Sequence, residues 1–424
     1  RYLLYATMRA DGTSKYQTKW GYFPTVGAGW VVTGEGFMKD VRAMDYLKLR
    51  GSWGRLGNSS VAASDGAMTT ELVYTAIGDQ RFPGSTTTAN YAVLGWEVVE
   101  ESNFGLSARF LDNRLSVEAD YFFRDTKNAV IPNVIPGTNG YLRKNSGVIR
   151  NSGLELVLNW NDAFADGKLR YGVGVNIATL KNEARNLYGQ PYIDGGTAEF
   201  RQRTVVGHPL LSFFGYEVAG VYQNEAEVAA GPATAQEVVP GDFRFKDQNG
   251  DNIIDDSDRV LLGSYLPSFS YGANFFVAYR GFELSASFCG QTGNKILNRK
   301  RGEYIWTNDT NIDAELAKNL WRGEGTSNKY PSSAGLRKGW NQSMSTYFVE
   351  DGSFFRIQNI RLSYNLKNKK ILGVDLPDIG VFLVADRPLT VFKYNGFNPE
   401  VANGIDSQTY PVPAVYTVGL NLKF

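Results

Sequence analysis

The stretch KDQNGDNIIDDSDR, residues 246–259, places oxygen-bearing side chains at Asp247, Asn249, Asp251, Asp255 and Asp258. These are the first, third, fifth, ninth and twelfth places of a twelve-residue window. Loops of the EF-hand type use this spacing to fold roughly six to eight oxygens around a hard cation. Ile253 would offer its carbonyl at the seventh place, and Ile254, at the eighth, is expected to turn inward as an apolar anchor. Two residues depart from that pattern. Asn252 stands at the sixth place, where Gly is usual, although Asn tolerates the left-handed conformation better than most residues. The twelfth place is Asp rather than Glu, which shortens the reach of a bidentate ligand. The ion implied is calcium, in a structural role. The alternative is an ion-free turn, since Asp, Asn and Gly make turns by local hydrogen bonding. Repulsion among four converging aspartates favours the ion.

Other chemistry is sparse. A single His, His208, followed by Pro209, argues against a zinc site or a His-based triad, and a single Cys, Cys289, excludes an internal disulfide. Adjacent carboxylates such as Glu100-Glu101 and Asp255-Asp256 are more simply solvated loop or surface residues than a glycosidase pair. GQTGNK lacks the spacing and the Ser/Thr of a phosphate-binding loop. No enzymatic activity is expected. The longest polar segments hold Trp306, Trp321 and Trp340, whose faces suit stacking on sugar or peptide. Packing inside folded loops is the equal alternative for all three.

The elements that must carry these residues are strands. In NRLSVEADYFF, Leu115, Val117, Ala119, Tyr121 and Phe123 share one face, and Ser116, Glu118 and Asp120 the other. The same alternation recurs in KLRYGVGVNIAT, in the pair flanking Arg280-Gly281, and in the terminal YTVGLNLKF. About twelve strands are expected, near 1–10, 20–33, 45–54, 102–112, 114–125, 147–160, 168–181, 268–280, 282–293, 353–366, 378–390 and 414–424. Many reach the roughly ten residues with which a tilted strand crosses a bilayer. Short links, such as Asp112-Asn113 and Arg280-Gly281, alternate with long ones such as 55–101 and 182–267. That alternation is the pattern of an outer-membrane barrel, all-β and antiparallel. It puts residues 247–258 in the longest outer loop and turns Glu118, Asp120, Arg170, Asn176, Glu283 and Gln291 toward a lumen.

Composition agrees with this class. Aromatic residues make up 13% of 424 residues, with 24 Tyr, 25 Phe and 46 Gly, which leans toward strands and turns. A net charge of +1 gives no global attraction to nucleic acid. RYLLYATMRA reads as a strand already in progress rather than a leader, so the chain is expected to be a piece of something longer.

Several motifs, in order along the chain, carry a family resemblance: LKLRGSWGRLGN, LSVEADYFFRDTKN, NSGLELVLNW, PGDFRFKDQNGDNIIDDSDR, EDGSFFRIQNIRLSYNL and YNGFNPE. Together they resemble the barrel half of SusC/RagA-type TonB-dependent transporters of the Bacteroidota. The resemblance implies a 22-stranded plugged barrel in the outer membrane, to which residues 1–424 contribute the C-terminal part, with a calcium-loop-like insert at 242–260. It further implies a SusD-like surface lipoprotein as lid and TonB-energised import of oligosaccharides or peptides. The plug and the remaining strands are expected from an N-terminal region outside this chain. Two alternatives stay open: a secreted soluble β-rich glycan-binding protein or glycosidase, and a structural barrel subunit of an outer-membrane complex.

Overall fold

The computed structural model describes the whole chain except residues 17, 61–67, 90–93, 135–140, 197–199, 300–313, 334–338, 367–369, 372–373, 376–377, 408 and 424. It divides into two compact units. The first comprises Arg1–Phe164, Arg170–Ile193 and Val205–Pro209; the second comprises Ala165–Leu169, Asp194–Thr204 and Leu210–Phe424.

In the first unit seven antiparallel strands lie side by side in chain order. They are β1 (Tyr2–Gly12), β2 (Trp20–Val31), β3 (Met44–Asn58), β4 (Glu97–Phe110), β5 (Leu115–Val134), β6 (Tyr141–Phe164) and β7 (Leu169–Thr179). A shorter strand, β8 (Lys181–Leu187), pairs with residues 147–152 of β6. In the second unit β9 (Phe269–Tyr279), β10 (Phe282–Thr292), β11 (Phe354–Leu366), β12 (Asp378–Phe392) and β13 (Val415–Lys423) form a second antiparallel run, again in chain order. These seven and five neighbours match the twelve strands expected. The differences lie in the link expected at 55–101, where Met68–Ile77 and Gln80–Ala89 pair as a separate antiparallel hairpin, and at strand ends: β5 runs on to Val134 and β6 begins at Tyr141, beyond the expected 125 and 147. Side-chain alternation breaks down there, but the backbone ladder needs only N–H and C=O groups and continues.

Register turns the alternation into faces. Leu4, Ala28, Gly51, Phe104, Tyr121 and Leu154 line up across six strands. The next row on the same face is Tyr2, Trp30, Leu49, Leu106, Ala119 and Leu156, followed by Leu47, Ala108, Val117 and Leu158, and last by Phe110, Leu115 and Trp160. Leu4 is 85% exposed and Phe104 58% exposed, so this is an apolar face open to its surroundings. A soluble protein rarely leaves so large a contiguous apolar surface uncovered. The opposite face is polar: Arg50 pairs with Asp120, and Arg124 with Glu101 at 2.7 Å. Asp120, expected to face a lumen, lies on this side, as the alternation required. Among the described residues no helix is long and apolar enough to cross a membrane.

The second unit also buries an aromatic core under its long connections, around Phe213, Phe243, Phe245, Trp340 and Phe348. Each such ring contributes about 1.5–3 kcal/mol by leaving water, which is how these loops acquire a fixed shape.

Candidate functional site

The loop at 247–258 grows out of this core. Phe243–Phe245 is a short strand with both Phe rings buried, and the chain leaves it into the acidic window. Ile253 is exposed and Ile254 is buried against the core, so the expected anchor is in place. Ile253 and Ile254 bridge in parallel to Ala233 and Thr234. Asn252 adopts φ 64°, the left-handed conformation its position demanded.

Within the loop, backbone amides meet the acidic side chains. Asp247 accepts from the amides of Gly250 (2.7 Å) and Asn252 (2.8 Å). The amide of Asp251 donates to Asn249 Oδ1, that of Ile253 to Asp251 Oδ1, and that of Ser257 to Asp255 Oδ1. Asp258 is fully buried; Gln248 N–H donates to its Oδ1 at 2.7 Å and Asp255 N–H to its Oδ2 at 2.9 Å. Asp255 and Asp258 thereby form a reciprocal capping box over a single 3-10 turn. Among the described residues no three His, Cys, Asp or Glu side chains stand together as a metal-binding group. The premise that these aspartates need a cation to offset mutual repulsion therefore has a second answer: the loop's own N–H groups face them. In donor type the set still suits a hard cation. Each carboxylate has about four lone-pair sites, so two accepted N–H bonds leave capacity for a metal.

The electrostatics follow from these bonds. The Asn252 amide, with help from Gly250, holds the Asp247 carboxyl below the usual range. Partial burial pushes Asp256 up, but the Arg259 bond at 2.8 Å, with Arg201 nearby, brings it below the usual range. Burial pushes the Tyr216 phenol up, against the lowering effect of Arg259 stacked over its ring.

The three tryptophans separate. Trp340 is buried, tilted on Phe245, and its Nε1–H donates to the Phe243 carbonyl at 2.7 Å, so it is part of the core that holds the loop. Trp321 is half-buried at the core edge, its Nε1–H donating to Gln223 at 3.2 Å. Trp306 lies outside the described residues.

A cavity of about 370 Å³ was not legible in the sequence. Glu315, Asn328, Lys329, Glu350, Lys393 and Asn395 line it. Among their partners, Glu315 accepts from Tyr330 and Asn395, and Glu350 from Asn298 and the Asn395 amide. Such a wall can hydrogen-bond a small polar ligand. Its lining residues come from segments as far apart as Val218–Gly220 and Lys393–Asn395, which no local pattern joins.

The TonB dependent receptor-like β-barrel family model matches residues 1–374. The chain is 29% identical to TonB-dependent receptor P3 of Formosa agariphila, over all of this chain and 44% of the relative. It is 28% identical to TonB-dependent receptor SusC of Bacteroides thetaiotaomicron, over all of this chain and 42% of the relative. The chain thus spans less than half the length of the curated relatives it matches. The RagAB peptide transporter structure shares its fold, with a TM-score of 0.81 at 23% identity, over all of this chain and 46% of that one.

Proposed function

The chain belongs to the TonB-dependent receptor-like β-barrel family of the outer membrane, and from that premise we propose that it is the wall of a SusC/RagA-type importer of oligosaccharides or peptides. The observation that carries this reading is the run of in-register apolar rows on one face, backed by paired charges on the other. An apolar outside and a polar inside are what a lipid-embedded, water-lined wall requires. Import would be energised through TonB acting on a plug, with a SusD-like lipoprotein as lid; the relatives named for SusC and RagAB support that assignment. The proposed role is non-enzymatic, in keeping with relatives that are receptors.

In this mechanism the chain's residues bind and hold. Arg50 and Asp120, and Arg124 and Glu101, fix the inner wall while presenting polar groups to the route. The cavity at Glu315 and Lys393 offers a polar contact for incoming ligand. Calcium, when bound at 247–258, would supply cross-linking charge to a surface loop; Asp247, Asn249, Asp251, Asp255, Asp258 and the Ile253 carbonyl would hold it. If so, chelator lowers protease resistance at 247–258 and Asp251→Ala does the same. Unchanged cleavage refutes the ion.

The import reading is tested by isolating the intact polypeptide from native outer membranes. A co-purifying surface lipoprotein, together with uptake of labelled oligosaccharide or peptide that stops without TonB, supports it. Uptake unaffected by deletion of the protein sinks it in favour of a structural barrel subunit.

A further inference from the structure

Ten residues along each strand from the row Phe110–Leu115–Trp160, the apolar face ends in a single line of charge. Arg55, Glu100, Asp125, Arg150 and Glu183 are successive register partners across β3, β4, β5, β6 and β8. All five share the face of Phe104, Tyr121 and Leu154, since strand side chains alternate with period two. The ion pairs run along the line: Arg55–Glu100 at 3.3 Å, Lys127–Glu100 at 2.9 Å, Arg150–Asp125 at 2.6 Å, Lys181–Glu183 at 3.0 Å and Arg185–Glu183 at 2.8 Å.

In the register row directly beneath the charges, Trp53 and Phe123 alternate with Ser102 and Ser152. Trp53 Nε1–H donates to Glu100 at 3.1 Å, and the Arg55 guanidinium lies over the Trp53 ring at 5.4 Å. Arg150 lies over Phe123 at 5.8 Å. A Trp whose N–H reaches the charged line while its ring faces the apolar side is the arrangement of a membrane–water interface, and Phe123 adds apolar area beside it. Ten residues of strand, tilted about 40°, rise about 25 Å, the height of an outer-membrane apolar band. The line sits at the end of the strands away from the tight turn at Asp112-Asn113, which is the outer side in this family's topology.

The charges do not cancel. Five cations (Arg55, Lys127, Arg150, Lys181, Arg185) meet three carboxylates (Glu100, Asp125, Glu183) in these pairs. The excess is greatest at β8, where Lys181 and Arg185 share Glu183 and the Lys181 side chain is 72% exposed. We infer that this line is the outer-leaflet boundary of the barrel and that Lys181 and Arg185 form a seat for the phosphate of a lipid headgroup. The occupant is a lipid, because the seat is continuous with the apolar face that its acyl chains would cover. The inference rests on membrane placement and is independent of what the barrel imports.

The test is native mass spectrometry of the intact, detergent-solubilised protein titrated with phosphatidylglycerol or with phosphatidylcholine, which carries no net charge. The wild type should favour phosphatidylglycerol. Lys181→Gln with Arg185→Gln should weaken that binding about tenfold or more. Glu183→Gln should strengthen it, a direction that structural damage would not produce. Arg9→Gln, on the opposite face, should leave it unchanged. Equal binding of the two lipids, an equal loss with Arg9→Gln, or displacement by millimolar inorganic phosphate as easily as by lipid would overturn the seat.

Discussion

Removing the Asp258 carboxylate should open the acidic loop more than removing any of its exposed neighbours. Asp258 is buried and accepts two backbone N–H bonds, from Gln248 and Asp255, ten and three residues away. Hydrogen bonds to a charged group count for about 1.5–3 kcal/mol each, so Asp258→Ala should cost about 3–6 kcal/mol of local stability. Asp258→Asn keeps one acceptor and turns an NH₂ toward the other amide, so it should fall between alanine and wild type. Asp251→Ala removes two exposed bonds, from the Ile253 amide and from the Asn249 side-chain amide, each worth about 0.5–1.5 kcal/mol after solvent competes for it. The assay is hydrogen exchange at the Gln248 and Asp255 amides. For Asp258→Ala it should accelerate by about two orders of magnitude or more, and far less for Asp251→Ala. The Asp258 effect should persist in chelator, because its partners are amides. Equal acceleration by the two variants, or none with Asp258→Ala, would refute the keystone role.

The remaining expectations concern acid, lipid and core. Asp247 has a folded-state pKa below its unfolded one, so its contribution is present above the unfolded value of about 3.9 and is lost as pH falls through the folded value. Protease cleavage at 247–258 should therefore be unchanged between pH 7 and 5 and rise below about pH 4; a rise already at pH 6 would contradict the assignment. Leu106→Arg, in the middle apolar row, should cost about 2–4 kcal/mol in urea unfolding of the membrane-inserted protein. A tolerated arginine there would place that row outside lipid. Trp340→Ala should lose about 3–5 kcal/mol of loop stability. Trp340→Phe, which keeps the ring and drops the bond to Phe243, should lose less, and ligand affinity that tracks ring type rather than stability would return Trp340 to the binding residues.

The strands were legible because period-2 alternation is a local property: Leu115, Val117, Ala119 and Tyr121 declare a face without reference to any partner. So was the inward turn of Ile254, where an apolar residue follows a polar window. What the side chains meet was not legible. Asp258 reads in sequence as the last ligand of an ion loop, yet its partners are backbone amides, and every residue carries one regardless of its identity. Trp321 and Trp340 share a polar context in sequence, and burial alone assigned them to the core and its edge. The line of charge depends on register, which joins Arg55 to Glu100, Glu100 to Asp125 and Asp125 to Arg150 over separations no local pattern spans. The sequence by itself determined the membrane-strand class and the family, through local alternation and motif order. Only the tertiary structure decided where the apolar band ends and what the acidic loop's carboxylates hold, because both depend on hydrogen-bond pairing between distant backbone segments.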